Sequence, residues 1–282
     1  VLLAPRVSLA IWDKFPQPGF NSAVLAAAAP RADVVIFCLP TVPHAGVLQE
    51  LLPLLRRDCL CLSVAKGLDD EGRPVAQILA DVLGDRFAHG VLHGPMIAEE
   101  IHAGGLAFTQ LGHRGPGVVD RVTALFTGTR LKVAPAGDIL GINWAVILKN
   151  VYTLAFGMAD ELNLGDNVRG WLAVTALAEM DTLVRRLGGA PGTVQGLAGL
   201  GDLITTATSG HSHHRELGRR LARGEARGEA WTGLTGEAIH TLAVIGRNRA
   251  LDLSGLPLFG LISRVVRDRA DARTSLEELL NP

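Results

Sequence analysis

The residues best placed to do chemistry are Lys149 and Asn150, which lie inside an apolar run over residues 139–156. A helix through this run puts Lys149 on the same face as apolar side chains such as Ala145 and Val146. An ammonium group there must reach water, find a partner or shift its pKa. The position therefore predicts either a surface lysine that extends to water or a working acid in a cleft.

Two further polar residues stand at positions suited to a ligand site. Asp202 follows the glycine-rich turn Gly199-Leu200-Gly201, where the backbone can approach closely and turn the carboxylate inward. The commoner role of an Asp after Gly is a helix cap or a turn residue. Lys66 ends a strand-like run, the place where open α/β sheets bind ligands, although an ordinary strand-end lysine fits that pattern too.

Composition excludes several classes of protein. The 282 residues are 48% hydrophobic and 20% charged, as expected for one large or two ordinary globular domains. Lys and Arg number 27 against 28 Asp and Glu, without the long basic run that nucleic acid or an anionic membrane would attract. No charge-free apolar stretch reaches the ~18 residues of a membrane span, and no signal peptide is evident, so we expect a cytoplasmic protein. Cys38, Cys59 and Cys61 read as reduced core thiols.

Two patterns of periodicity divide the chain. Strands are predicted at residues 7–12, 34–39, 60–64, 106–111 and 130–133, with helical stretches between them, including residues 23–29 and 118–126. This alternation is typical of an α/β nucleotide-binding domain with a Rossmann-type, mostly parallel sheet. Helices at 142–162, 171–187, 215–223, 236–249 and 275–280 predict an all-helical second domain. We place the boundary between residues 1–135 and 136–282, with the site in the crevice between the two domains.

A resemblance becomes specific when the motifs are taken in order. They occupy residues 64–68, 94–100, 149–150, 165–167, 177–180 and 199–208. Their order and spacing resemble bacterial-type NAD(P)-dependent glycerol-3-phosphate dehydrogenases over nearly the whole chain. The resemblance implies reduction of dihydroxyacetone phosphate by a nicotinamide, which gives sn-glycerol 3-phosphate for phospholipid synthesis. It also implies a cytoplasmic homodimer that acts on a small molecule.

The resemblance implies roles for individual residues. Hydride arriving at a carbonyl carbon leaves negative charge on oxygen, which a positioned ammonium can stabilise and protonate. Lys149 matches the family's proton donor and acceptor, with Asp202 and Asn150 beside it in the catalytic set. The implied substrate-binding residues are Lys66, Gly94, Thr206, Ser212, His213 and His214. The implied contacts to the cofactor, NAD or NADP, come from Asp13, Lys14, Pro40, Lys66, Ala98 and His213.

The departures from the family pattern cluster at the phosphate end of the pocket. Where the family has a serine, an arginine and an asparagine, this chain has Ser212, His213 and His214. A histidine is half-charged at best near its unperturbed pKa of roughly 6.5 and offers fewer donors than arginine. Phosphate binding should therefore weaken or become pH-dependent, unless Arg215 substitutes after a small backbone shift.

Other departures remove further polar groups. Met96 stands where the family has a hydroxyl, Val174-Thr175 where it has Thr-Arg, and Thr235 where it has a glutamate before Gly236. These changes favour two alternatives to the parent activity. One is a related dehydrogenase for a different small hydroxy or keto compound, and the other is a non-catalytic relative that keeps the helical dimer.

A metal site is the remaining alternative at the histidines. His211, His213 and His214 can share a metal if the chain is extended, but no Asp, Glu or Cys stands at a matching spacing. Exposed loop histidines explain the run better. We therefore expect no metal.

The start of the chain lacks one expected motif. The Gly-x-Gly-x-x-Gly turn that binds a dinucleotide pyrophosphate should follow the first strand, and the sequence does not contain it. We expect that the natural protein has residues before Val1, unless it is a relative that does not bind the cofactor. Asp13, at the end of the presumed second strand, favours NAD because an acidic residue there binds the ribose, whereas Lys14 favours NADP.

Overall fold

A five-stranded sheet forms the first half of the molecule. The computed structural model describes residues 2–3, 6–15, 23–225 and 236–281. Within them the strands lie side by side in chain order. They are β1 (Val34–Phe37), β2 (Leu60–Ser63), β3 (His89–His93), β4 (Ala107–Arg114) and β5 (Leu131–Ala136).

Strand direction determines where the sheet can bind a ligand. β1, β2 and β3 run parallel, whereas β4 pairs antiparallel with β3 and parallel with β5. The carboxyl ends of the first three strands therefore lie at one edge of the sheet, which is where open α/β sheets bind ligands. Pro40, Lys66 and Gly94 each follow one of these three strands.

The residues of β2 show why the sheet is covered on both faces. Successive side chains of a strand point to opposite faces. Cys61, with Cys59 just before the strand, packs into one apolar cluster, whereas Leu60 and Leu62 pack into another. All four side chains are fully buried, so the strand reads as a continuous apolar run, as expected for the interior of a parallel sheet.

Among the described residues, five α-helices accompany the sheet. Side chains of α2 and α3 fill the first cluster, and those of α5 fill the second. The helices are α1 (Leu25–Ala28), α2 (His44–Leu51), α3 (Val75–Leu83), α4 (Ala98–His102) and α5 (Val118–Phe126).

The second half is helical and is built around one central helix. Helix α6 (Ile139–Glu161) is apolar all round, and nearly all of its residues are buried. It is long and apolar enough to cross a bilayer by length and composition, but 94% of that stretch is buried inside the protein. Around it lie α7 (Gly165–Arg186), α8 (Asp202–Thr208), α9 (His213–Ala222), α10 (Glu237–Arg247), α11 (Pro257–Arg267) and α12 (Ala272–Leu280).

Two glycines let α9 lie directly against α6. A Cβ atom built on Gly157 would lie 2.0 Å from the carbonyl oxygen of Arg215, and one on Gly218 would lie 2.1 Å from that of Leu154. No side chain fits at either position, so the two backbones are in contact. This crossing packs the first turn of α9 against the C-terminal part of α6.

The α/β fold class with a following helical unit is confirmed. The strand predicted at residues 7–12 is wrong, because this segment has no regular secondary structure. A strand needs a neighbour for its backbone groups, and within the described residues Ile11 bonds only to Ala23. Strand β3 was not predicted, because the histidines at both of its ends interrupt the apolar pattern that a fully buried strand usually shows. Helix α11, which Pro257 opens, was also not predicted.

The cysteine prediction needs one correction. Cys59 and Cys61 are buried, as expected, but Cys38 is exposed, and all three are free thiols. Cys38 follows the last residue of the edge strand β1, where one flank of the strand is open among the described residues. It is therefore not a core residue.

Candidate active site

Three charged side chains meet at the carboxyl edge of the sheet. The Nζ atom of Lys149 lies 3.1 Å from Oδ2 of Asp202, and the Nζ atom of Lys66 lies 2.9 Å from the same oxygen. Lys149 and Asp202 are 4% and 3% exposed. A buried carboxylate that both lysines share is the physical requirement for keeping two ammonium groups in such a place.

Different parts of the fold deliver the three residues. Lys149 comes from the middle of α6, Lys66 from the turn after β2, and Asp202 from the first residue of α8. A single turn of π-helix (Leu197–Gly201) precedes α8, and such turns are frequent at functional sites. Gly199 is required in this turn, because a Cβ there would lie 2.1 Å from the carbonyl oxygen of Val194.

Thr206 fixes the orientation of the Lys149 ammonium. Lys149 donates to Oγ1 of Thr206 at 2.6 Å, and the Thr206 hydroxyl in turn donates to the backbone carbonyl of Asp202 at 2.6 Å. A lysine ammonium has three donors. With Asp202 and Thr206 taking two of them, the third can point to a substrate oxygen.

The surroundings of Lys149 lower its pKa, so that both its ammonium form and its amine form are accessible near neutral pH. Burial, followed by the nearby charge of Lys66, lowers the pKa of Lys149 to about 8, while Asp202 opposes the shift. Burial raises the pKa of Asp202, but the charges of Lys66 and Lys149 outweigh burial and hold it below its ordinary value. The aspartate stays ionised, so the lysine is the group that can give up and take back a proton near neutral pH.

Asn150 contacts α10. Its Nδ2 donates to Oε2 of Glu237 at 3.4 Å. Its Oδ1 is buried without a hydrogen-bond partner among the described residues, as is Oγ1 of Thr41 just beyond β1. Buried polar atoms of this kind require an explanation, and a bound ligand is one.

Two polar groups near this site were not found from the sequence. Glu237 lies one residue after Gly236, whereas the glutamate was sought before it, at Thr235, which lies outside the described residues. His93 ends β3, and its Nε2 accepts a hydrogen bond from Nδ2 of Asn143 at 2.9 Å. Burial, then the charge of Lys66, lowers the pKa of His93 to about 3, so its ring is neutral. A polar residue at a strand end was the available signal for His93.

The phosphate end expected from the resemblance lies at the start of α9. Ser212 caps this helix, its hydroxyl accepting from the backbone N–H of Arg215 at 3.1 Å. His213 is exposed and His214 is half-buried. Burial, then the charge of Lys149, lowers the pKa of His214 to about 3. His214 therefore lies near the lysines as a neutral ring.

Arg215 forms an ion pair with Asp160. Its Nε lies 2.5 Å from Oδ2 of Asp160, and its Nη1 donates to the carbonyl oxygen of Ser209 at 3.3 Å. Asp160, whose side chain is 5% exposed, also pairs with Arg169 and Arg219. The guanidinium of Arg215 thus neutralises a nearly buried carboxylate.

The loop after β3 lies against the turn that carries Asp202. Pro95 is 3.5 Å from the position that a Cβ on Gly201 would occupy. Gly94 itself has no room for a side chain, because a Cβ there would lie 2.6 Å from the carbonyl oxygen of Phe108. Ala98 is the first residue of α4, and Met96 packs against the cluster under the sheet.

Three of the residues predicted to contact the cofactor, Pro40, Asp13 and Lys14, lie in two places. Pro40 is at the carboxyl edge, where its carbonyl oxygen accepts from Nδ1 of His44 at 2.9 Å, and Nε2 of that ring accepts from Ser63 at 2.9 Å. This pairing ties the end of β1 to the end of β2. Asp13 and Lys14 are exposed in the segment 6–15, where Asp13 accepts from the backbone N–H of Phe15 at 2.8 Å.

A parallel-strand edge and a helical unit that brings a lysine and an aspartate to it form the arrangement expected of a dinucleotide-dependent oxidoreductase. Comparison with known proteins identifies the family. The chain matches the N-terminal part of NAD-dependent glycerol-3-phosphate dehydrogenase over residues 14–114 and its C-terminal part over residues 138–277. The chain therefore belongs to the NAD-dependent glycerol-3-phosphate dehydrogenase family.

Individual relatives agree with this assignment. The chain is 38% identical to glycerol-3-phosphate dehydrogenase (NAD(P)+) of Deinococcus radiodurans over 231 residues. This alignment covers 82% of this chain and 69% of the relative. It is 31% identical to the glycerol-3-phosphate dehydrogenase (NAD(P)+) of Agrobacterium fabrum over 255 residues. That alignment covers 88% of this chain and 76% of the relative. The crystal structure of the Coxiella burnetii glycerol-3-phosphate dehydrogenase matches with a TM-score of 0.82 and 26% identity, over 96% of this chain and 84% of that one.

Proposed function

We propose that this chain interconverts sn-glycerol 3-phosphate and dihydroxyacetone phosphate with NAD(P)(H), and that Lys149 is the proton donor and acceptor. One observation carries the proposal. The Lys149 ammonium is held by Asp202 and Thr206 at 3.1 and 2.6 Å, at the carboxyl edge of the sheet, in a chain that belongs to the glycerol-3-phosphate dehydrogenase family.

The residues then have distinct tasks. When bound, a nicotinamide supplies hydride to the carbonyl carbon or takes it from the alcohol carbon. In reduction the Lys149 ammonium stabilises the charge that develops on the ketone oxygen and then transfers a proton to it, which leaves a neutral amine. In oxidation the neutral amine accepts the hydroxyl proton. Asp202 and Thr206 hold Nζ in place through both directions, and Lys66 adds a second positive charge next to the substrate.

The unpartnered polar atoms fit a nicotinamide. Thr41 Oγ1 and Asn150 Oδ1 are buried without partners among the described residues, and they belong to the two sides of the crevice. A carboxamide or a ribose hydroxyl has the donors and acceptors to satisfy both. We propose that Pro40, Lys66, Ala98 and His213 also contact the cofactor, and that Asp13 and Lys14 set the preference between NAD and NADP.

The phosphate of the substrate is proposed to bind near Gly94, Thr206, Ser212, His213 and His214. A specific observation favours a second candidate function here. His214 is a neutral ring, and Arg215 is paired with Asp160, so this end offers less positive charge than a phosphate dianion needs. The second candidate is a dehydrogenase of the same family type that acts on a small hydroxy or keto compound of lower charge.

Further proposals concern the domain boundary, the oligomeric state and the cellular role. The strand β5 ends at Ala136 and α6 begins at Ile139, which supports a domain boundary near residues 135–137. We also propose a cytoplasmic homodimer that serves glycerophospholipid synthesis. Size-exclusion chromatography with light scattering measures the oligomeric state.

One pair of measurements tests the proposed function. NADH and NADPH are first titrated by fluorescence, and a panel of ketones is then assayed for NAD(P)H oxidation, with dihydroxyacetone phosphate and dihydroxyacetone as the matched pair. The proposal expects binding of at least one cofactor and a higher kcat/KM for the phosphorylated ketone. A preference for dihydroxyacetone would select the second candidate. Binding of neither cofactor would remove both and leave a non-catalytic relative.

A further inference from the structure

Helix α10 brings an additional carboxylate to the active site. Its first residue is Glu237, directly after Gly236. The family pattern has a glutamate just before this glycine, where the present chain has Thr235. This chain has a carboxylate two positions later, and it lies near Asn150 of α6 and near Gly67.

Contacts on two sides fix the position of Glu237. Its Oε2 accepts from Nδ2 of Asn150 at 3.4 Å, next to Lys149 on α6. Its Oε1 lies 3.5 Å from the point that a Cβ on Gly67 would occupy, which is also 3.2 Å from Thr41 Oγ1. The carboxylate therefore lies between α6 and the turn that carries Lys66.

A charge count shows what this carboxylate contributes. Lys66 and Lys149 carry two positive charges, and Asp202 carries one negative charge between them. Two histidines interact with the charge of Lys149, His93 from β3 and His214 from α9, and both are neutral because their pKa values are about 3. Without Glu237 the buried group has a net charge of +1, and with Glu237 ionised its net charge is zero.

We propose that Glu237 is a positioning residue of this site, which holds the Asn150 amide and supplies the second negative charge that balances the two lysines. Its role in turnover rests on the proposed function, whereas its effect on Lys149 does not. The charge is the main contribution, because the 3.4 Å contact with Asn150 is long for a hydrogen bond. A carboxylate near an ammonium favours the charged form of the lysine.

The consequence for Lys149 has a definite sign. Burial and Lys66 lower the pKa of Lys149 to about 8, whereas Asp202 and Glu237 raise it. Burial raises the pKa of Glu237 itself, against the effect of both lysines. Removing the charge of Glu237 should therefore lower the pKa of Lys149 further and leave more neutral amine at a fixed pH.

The experiment observes Lys149 directly. The chain has four lysines, Lys14, Lys66, Lys132 and Lys149, so selective ¹³Cε-lysine labelling gives four signals that single substitutions assign. The ¹³Cε signal of Lys149 is titrated in the wild type, in Glu237→Gln, which removes the charge, and in Glu237→Asp, which retains it. Glu278→Gln, on the exposed face of α12, is the matched control that removes one carboxylate elsewhere.

The expected result is a lower titration midpoint for Lys149 in Glu237→Gln alone, with the amine-to-ammonium ratio at pH 8 raised about threefold or more. Glu237→Asp and Glu278→Gln should retain the wild-type midpoint. An unchanged midpoint in Glu237→Gln overturns the proposal, and so does an equal shift in Glu237→Asp, which would assign the effect to packing. The titration needs no turnover, so an inactive wild type would reject the proposed function without affecting this result.

A kinetic measurement then tests the role in turnover. In Glu237→Gln the alkaline fall of ketone reduction should begin at lower pH than in the wild type, and the rise of alcohol oxidation should shift to lower pH as well. A merely structural role would lower both rates at every pH without moving either profile. Parallel profiles with unchanged midpoints would therefore contradict the positioning role.

Discussion

The two ends of the active site differ in how firmly their residues are fixed. At the reaction end, Lys149 and Lys66 share the buried carboxylate of Asp202 at 3.1 and 2.9 Å. At the phosphate end, His213 is exposed and Ser212 caps its own helix. By the resemblance, the chain keeps the family's residues at the first end, whereas at the second end it keeps Ser212 and differs at His213 and His214.

The loss of folding stability that a substitution causes explains why the two ends differ. Removing one partner from a buried charged group leaves an uncompensated charge and costs ~3–5 kcal/mol. Substitutions at an exposed surface position such as His213 usually change stability by less than ~0.5 kcal/mol. The reaction end therefore tolerates little change, whereas position 213 can change without endangering the fold.

The largest effect should come from Lys149→Met at the reaction end. It removes the proton donor and should lower kcat for ketone reduction by ~10³-fold or more, while Asp202 keeps Lys66 as its partner. Steady-state NAD(P)H oxidation measures the loss, and circular dichroism checks the fold. Lys132→Met, on exposed β5, is the matched control and should keep wild-type turnover. Equal rates in Lys149→Met and the wild type would refute the role of the lysine.

Asp202→Asn should have the next largest effect. The change leaves two buried ammonium groups facing an amide, so we expect kcat to fall ~10²-fold and the free energy of unfolding to fall by ~3–5 kcal/mol. Because the Asp202 charge raises the pKa of Lys149, that pKa should also fall. Urea unfolding and pH–rate profiles measure these effects. A stable variant with an unshifted profile would show that Asp202 is only a turn residue.

At the phosphate end, His213→Arg should improve the enzyme. It restores the residue that the family pattern has there, and a bidentate guanidinium should lower KM for dihydroxyacetone phosphate ~10-fold with little change for dihydroxyacetone. His211→Arg, in the loop before α9, adds the same charge outside the predicted contact set and serves as the control. An equal improvement in both variants would indicate a general effect of charge.

The smallest kinetic effect should come from Arg215→Ala. Since Arg215 is paired with Asp160, KM for the phosphorylated ketone should change less than ~3-fold. The free energy of unfolding should fall by ~2 kcal/mol, because Asp160 loses a charged hydrogen bond. Arg220→Ala on the same helix, whose partner Glu225 is more exposed, should cost less than ~1 kcal/mol. A tenfold rise in KM would place Arg215 in the phosphate site.

The sequence predicted those features that a local pattern specifies. The apolar run around Lys149 predicted a buried helix, and the order of the motifs predicted the family. The strand at residues 7–12 failed because pairing depends on a neighbouring strand, which local periodicity does not contain. The pairing of Arg215 with Asp160 and the approach of Glu237 to Asn150 each join distant parts of the chain. Such contacts follow from packing and are not visible in any short motif.

The central claim is that Lys149 exchanges the proton with the substrate oxygen. The most direct test is the pH dependence of kcat in both directions for the wild type, with the residual activity of Lys149→Met as the reference. Because the pKa of Lys149 is about 8, reduction should fall and oxidation should rise as the pH passes through that value, and Lys149→Met should lose both transitions. Profiles that keep the same transitions without Lys149 would contradict the account.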